Sequence, residues 1–384
     1  KVVRTKQDIR EYFNYHTGFI GKKEKSPFKT PQSPTHTGGV KSFDEAHNNF
    51  AIAIYNGLRQ PSANLVFSPF SIRAALAMMY AGARGETAAQ MRAALRFAAG
   101  DEDLHTGFAE ITGRLNEAAS DSQEITVANS LWFQDGAPLR NKFFILVASH
   151  YRAGMNFVDF CSDAEAVRAT INRWVEEQTK EKIRDLIPSG GVDRGTGMVL
   201  VNAIYFKGKW RLPFSEDKTR EEPFYLEGGS TIQAHLMHRE QTVSYNHSDG
   251  FQMIELDYKD SDLSMLVLLP DKKDGLGDLE KRLSAHLLRE CLKKATEHQV
   301  DIFLPRFKVL WGTVDVGPQL SALGMPIAFN PKEADFSGIN GYKPLEKYAH
   351  FISKVFHQAL VEVNEKGTEA AAATAMSTLY GSLN

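Results

Sequence analysis

The sequence predicts a single α+β domain, and three observations lead there. Its 384 residues are 42% hydrophobic and 24% charged, ordinary for a globular chain able to bury a large core. Helix-period and strand-period segments follow one another without the regular alternation of a parallel strand–helix fold. No internal repeat interrupts them, and the only biased stretch is a run of alanines near the C-terminus.

In chain order, Phe50, Ile54 and Leu58 share one helical face with Ala46 and Ala53, which starts a helix at Ser42. Val66 and Phe67 read as a short strand. Ser68-Pro69 then sets a serine cap and a first-turn proline for the next helix. Residues 87–95 stay helical. Residues 125–133 and 199–206 read as long strands rich in β-branched and aromatic side chains, with an amphipathic helix over 164–182 between them. Residues 224–270 give a series of shorter strands, with 263–269 a buried one. Residues 279–298 return to helix, and 300–309 and 355–363 close as strands.

Composition narrows the function. No run of eighteen apolar residues occurs, which argues against a membrane span. The net charge of −2 divides into +6 over residues 1–41 and −8 over the rest. With Pro27, Pro31, Pro34 and Gly38-Gly39, residues 1–41 read as a mobile basic extension ahead of a domain over 42–384. Cys161 and Cys291 allow at most one disulfide and read better as free, partly buried thiols. No GxSxG, HExxH, GxGxxG or GxxxxGK[ST] pattern occurs, and the twelve histidines show no ligand spacing. The expectation is therefore neither an enzyme nor a metal protein, and nothing points to nucleic acid.

The most informative stretch is Val361-Glu-Val-Asn-Glu-Lys-Gly-Thr-Glu-Ala-Ala-Ala-Ala-Thr-Ala-Met-Ser377. It starts as an alternating strand, passes one glycine, and continues with small side chains. Such a segment suits insertion between two strands of a sheet. Strand side chains alternate between faces. An inserted strand would therefore send Thr368, Ala370, Ala372, Thr374 and Met376 inward, and Glu369, Ala371, Ala373, Ala375 and Ser377 outward to solvent.

This stretch resembles the hinge of inhibitory serpins. The blocks Asn64-Leu-Val-Phe-Ser-Pro-Phe-Ser-Ile72, Ala81-Gly-Ala-Arg-Gly-Glu-Thr87, Ile171-Asn-Arg-Trp-Val175, Val201-Asn-Ala-Ile-Tyr-Phe-Lys-Gly-Lys-Trp210 and Phe303-Leu-Pro-Arg-Phe307 agree with the family in order. The resemblance implies one domain with a large central sheet, two further sheets and eight or nine helices. It also implies a monomeric, secreted suicide-substrate inhibitor: the loop is acylated by a serine proteinase, then inserts between 199–206 and 355–363 and traps the covalent complex. The alternative is a non-inhibitory serpin acting as ligand carrier or peptide-hormone precursor, but such members carry bulky, charged or proline residues at the hinge. An inserted strand of about a dozen residues, gaining about one net hydrogen bond each at ~0.5–1.5 kcal/mol, would release on the order of 10 kcal/mol before ordering costs.

Site residues follow from the same resemblance. Glu365, Gly367, Thr368, Ala370, Ala372 and Thr374 correspond to the hinge. Arg306, where most relatives have lysine, pairs with Glu365 at the top of the sheet above Trp210. Ser68, Ser71, Asn202 and His357 correspond to the polar cluster that lets the central strands part. Counting from Glu365 puts the scissile bond at Gly381–Ser382, and a shift of one register makes Tyr380 the primary residue. Ser382-Leu-Asn384 resembles the residues after the cleaved bond in antithrombin. Because the chain stops at Asn384, the expectation is a cut, inserted loop whose C-terminal fragment stays bound noncovalently. No cofactor is required, but Arg282, His286, Arg289 and Lys293 share one face of a helix over 279–298, which suggests heparin or another glycosaminoglycan. Asn246-His-Ser248 is a glycosylation sequon.

Overall fold

The computed structural model describes residues 2–3, 37–61, 63–97, 101–117, 120–226, 229–248 and 250–380. Most of the basic extension, and the bond Gly381–Ser382, lie outside the described residues. Helix α1 spans Thr37–Leu58 and so begins before Ser42. Residues 63–67 are irregular, not a strand. They feed α2, Pro69–Tyr80, whose Ser68 cap accepts the Ser71 amide at 3.1 Å as expected. Helices α3 (Gly85–Ala94), α4 (Asp101–Glu117), α5 (Asn141–Tyr151) and α6 (Phe160–Gln178) follow. Helix α6 is set about four residues earlier than the sequence pattern suggests, because Asp159 caps it and accepts the Ser162 amide at 3.1 Å.

The strands are β1 (Val2–Val3), β2 (Gln123–Gln134), β3 (Leu139–Arg140), β4 (Gly154–Val158), β5 (Thr196–Lys209), β6 (Arg220–Tyr225), β7 (Thr231–Ser248), β8 (Phe251–Asp257) and β9 (Ser264–Pro270). Strand β7, at 18 residues, is far longer than the short strands expected there. Helices α7 (Leu276–Arg282) and α8 (Ala285–Lys294) precede β10 (Thr296–Pro305) and β11 (Phe307–Asp315). Helices α9 (Gly317–Ala322) and α10 (Ser337–Asn340) lead into β12 (His350–Asn364) and β13 (Gly367–Tyr380). Ten α-helices are thus present among the described residues, against eight or nine expected, and α9 and α10 have only six and four residues.

The single helix over 279–298 does not exist. Leu283 and Ser284 are extended, Ser284 starts a new cap by accepting the Leu287 amide at 3.1 Å, and Thr296 is already strand. The strand over 300–309 likewise divides at Arg306. Its amide donates to His235 O at 2.8 Å, and the two halves join different sheets.

The largest sheet has six strands in the order β11-β12-β13-β5-β2-β4, antiparallel except for the β2–β4 pair. A five-stranded sheet holds β10-β7-β8-β9 with β6 on β7, and β1 pairs β3. Strand β9 is the outer member of its sheet, so it is half-buried where a buried strand was expected, and Leu269 is 59% exposed. One core lies under α2, with Ile72, Leu76 and Met376 in it. A second lies under α6, where Val167, Ile171 and Val175 meet Ala371, Ala373 and Ala375. Both faces at the centre of the large sheet are therefore buried. Cys161 and Cys291 are free, and Cys161 is exposed, not partly buried.

Candidate functional site: a strand inserted at the centre of the sheet

Strand β13 lies between β12 and β5 and is antiparallel to both. It reaches this place through the short turn after Asn364. There the Asn364 side-chain oxygen accepts the amides of Lys366 at 3.0 Å and Gly367 at 3.3 Å. Gly367 is required by a close approach: a Cβ there would stand 2.0 Å from Gly208 O. Small side chains then fit between the two neighbouring strands and under the helices that cover them.

The alternation is as the sequence suggests, but the environment of the outward set differs. Thr368, Ala372, Thr374 and Met376 are buried, while Ala370 is only half-buried. Ala371, Ala373, Ala375 and Ser377 do not face solvent, because α6 covers the inner three and Ser353 meets Ser377 at 2.7 Å. Glu369 does not face solvent freely either: Lys182 holds it at 3.0 Å.

At the top of the sheet, Arg306 meets Glu365 at 3.6 Å, and Thr219 Oγ1 donates to the same carboxylate at 2.8 Å. Trp210 Nε1 donates to Asn364 O at 2.9 Å, and its ring stacks on Tyr258 with centroids 4.9 Å apart. Tyr258 in turn donates to Thr368 Oγ1 at 2.8 Å, so the first inserted side chain closes this set.

Midway down, the four expected residues meet at Thr374. His357 and Asn202 flank it in register on β12 and β5, and Asn129 of β2 flanks Asn202. The Ser68 amide donates to His357 Nε2 at 3.1 Å, which leaves the ring proton on Nδ1, 2.7 Å from Thr374 Oγ1. The hydroxyl of Thr374 lies 3.1 Å from Ser71 Oγ, and Ser71 donates to Asn202 Oδ1. Asn202 Nδ2 donates to Asn129 Oδ1 at 2.7 Å, and Asn129 passes the chain to Tyr151 O at 2.8 Å. Burial forces His357 down to about 3 and His350 to about 4, so both are neutral.

Several contributors escape the motif reading. Asn129 is one; a polar residue inside the apolar run 125–133 was its signal. His350 meets Thr378 at 3.2 Å, which continues the inward alternation two residues past Met376. Other residues expected to act together are kept apart. Arg282 ends α7, whereas Arg289 and Lys293 lie on α8, where they pair with Glu45 and Glu290 at 3.1 and 3.0 Å. Asn246 sits inside β7, is 9% exposed, and accepts from Ser248 at 3.1 Å, which leaves its amide little room for a glycan.

A family profile described as Serpin (serine protease inhibitor) matches residues 45–382. The chain is a serpin. This serpin is 39% identical over 345 residues to the leukocyte elastase inhibitor of Bos taurus, spanning 87% of this chain and 89% of that protein. It is 37% identical over 344 residues to the leukocyte elastase inhibitor of Xenopus laevis, at 88% and 89% coverage. Its fold is similar to a solved structure of cleaved Serpin 42Da, with TM-score 0.82, 35% identity, and 89% and 91% of the chains covered.

Proposed function

We propose that this serpin traps an elastase-like serine proteinase by suicide inhibition. The observation that carries this is β13, a 14-residue strand accepted at the centre of the sheet and paired along both of its edges. The proteinase supplies the chemistry. Its serine forms an ester with the carbonyl of the primary residue and expels the amine of the next one. Zipping the hinge between β12 and β5 then carries that ester away before water can cleave it. The target class follows from Gly381: a narrow primary pocket accepts a small residue, a basic-specific pocket gains nothing from it, and the similarity to leukocyte elastase inhibitors agrees. With Tyr380 as primary residue, the target would be chymotrypsin-like.

A glycosaminoglycan cofactor has weaker support, since the basic residues are divided between two helices and partly ion-paired. The test is incubation with elastase-, chymotrypsin- and trypsin-type proteinases, followed by a denaturing gel. A covalent band with the elastase type is expected. A band with the trypsin type alone would overturn Gly381 as the primary residue.

A further inference from the structure

Glu369 is the one charged side chain within β13, and partners reach it from three directions. In register it stands opposite Glu362 of β12 and Lys207 of β5. Lys207 in turn faces Glu124 of β2, and Glu362 pairs with Lys308 of β11 at 3.0 Å. Five adjacent strands thus carry one transverse row: Lys308, Glu362, Glu369, Lys207, Glu124. Over this row, the segment after α6 places Lys180 3.1 Å from Glu124 and Lys182 3.0 Å from Glu369 Oε2. Tyr205 donates to the other oxygen, Oε1, at 2.7 Å. The Glu369 side chain keeps only 17% of its exposure.

Removing β13 from the row shows what it contributes. Glu362, on the β12 side, keeps Lys308, whereas on the β5 side Lys180, Lys182 and Lys207 stand around Glu124, so that wall of the opening carries more positive than negative charge within the row. Insertion grows from Gly367, next to the turn that ties the loop to β12, and Glu369 is therefore the first charge to enter. Attraction between this carboxylate and these lysines, of which Lys182 is partly buried, acts before most of the strand has paired.

We propose that Lys182 and Tyr205 capture Glu369 at the start of insertion and so bias the race between trapping and hydrolysis toward trapping. This rests on the inhibitory reading above, with both acting as positioning residues. The carboxyl of Glu369 is held below the usual range: burial opposes this, but the bonds from Tyr205 and Lys182 outweigh it. Burial and the bond to Glu369 together push the Tyr205 hydroxyl well up.

The experiment compares Glu369→Gln, Lys182→Gln, Tyr205→Phe and the double variant Glu369→Gln/Lys182→Gln with wild type. The control is Arg184→Gln, on the same segment but paired with Glu181. Two quantities are read: cleaved product per covalent complex, and the unfolding temperature of protein nicked within the loop. Each single variant should raise the cleaved product about threefold to fivefold, the size expected of one partly buried ion pair or one hydrogen bond to a carboxylate. The double variant should add nothing beyond the larger single effect. Raised ionic strength should move wild type and Tyr205→Phe, which keeps the ion pair, toward the charge variants, and leave Glu369→Gln, Lys182→Gln and the double variant nearly unchanged. Wild-type partitioning in Glu369→Gln and Lys182→Gln would overturn the proposal. If wild type forms no complex with any proteinase, the inhibitory reading fails instead. The nicked proteins then decide the clamp alone, and equal unfolding temperatures refute it.

Discussion

The hydroxyl of Thr374 accepts the Nδ1 proton of His357 at 2.7 Å, while His357 Nε2 accepts the Ser68 amide at 3.1 Å. An inserted residue, a strand and a helix cap thereby share one neutral ring. A second proton on Nε2 would point at the Ser68 N–H and break that bond.

This geometry makes the inserted form acid-sensitive in a definite direction. His357 binds no proton until about pH 3 when folded, whereas an unfolded histidine binds one near its ordinary value. The unfolded state therefore takes up protons as pH falls from about 6.5, and stability drops by up to about 1.4 kcal/mol per pH unit for this group. Between pH 6.5 and about 5, where ordinary carboxylates stay ionised, His357→Gln should flatten the pH dependence of the urea midpoint relative to wild type. Parallel slopes would contradict the neutral ring.

Much of this was legible in the sequence because insertion imposes rules that side chains must obey. Gly367 and the alanines marked a strand with no bulk, and alternation fixed which of its residues face Ser71 and His357. What was not legible depends on elements remote in sequence. That Ala371 and Ala373 are buried depends on α6 lying across the sheet, and nothing in the hinge encodes that. The sequence pattern carries the helix on to Lys182, whereas α6 stops at Gln178 and leaves Lys182 able to reach Glu369. The basic stripe failed because spacing alone carries Arg282 and Lys293 onto one face, while Ser284 ends that continuity with a cap.

Gly367→Ala should obstruct the first step of pairing. The added Cβ would meet Gly208 O at 2.0 Å and Lys209 Cα at 2.9 Å, both backbone atoms that cannot rotate away. Parting the strands there costs about 1–3 kcal/mol by analogy with overpacked cores. Nicked Gly367→Ala should unfold several degrees below nicked wild type, and an unchanged transition would show that β5 yields freely.

Joint replacement of Arg282, Arg289 and Lys293 by glutamine should leave heparin-column elution nearly where it was. Exposed pairs such as Arg289–Glu45 already occupy part of the charge, and no helix aligns all three. A large shift to lower salt, with the flattened salt dependence that goes with lost phosphate- or sulfate-type contacts, would restore the stripe as a site.

Thr368 offers the sharpest separation of inhibitor from substrate behaviour. It is 4% exposed, its hydroxyl is held by Tyr258, and it precedes Glu369 into the sheet. Thr368→Arg would carry a guanidinium into this space, where the nearby Glu365 is already engaged by Arg306 and Thr219. An unpaired buried charge costs several kcal/mol, enough to stall insertion at its start. The loop would still be cut, so the covalent band should vanish while the cleaved band persists. Thr368→Val keeps the shape and gives up one hydrogen bond worth about 1 kcal/mol, so it should still form complex. Undiminished complex formation by Thr368→Arg would show that this side chain does not enter the sheet during trapping.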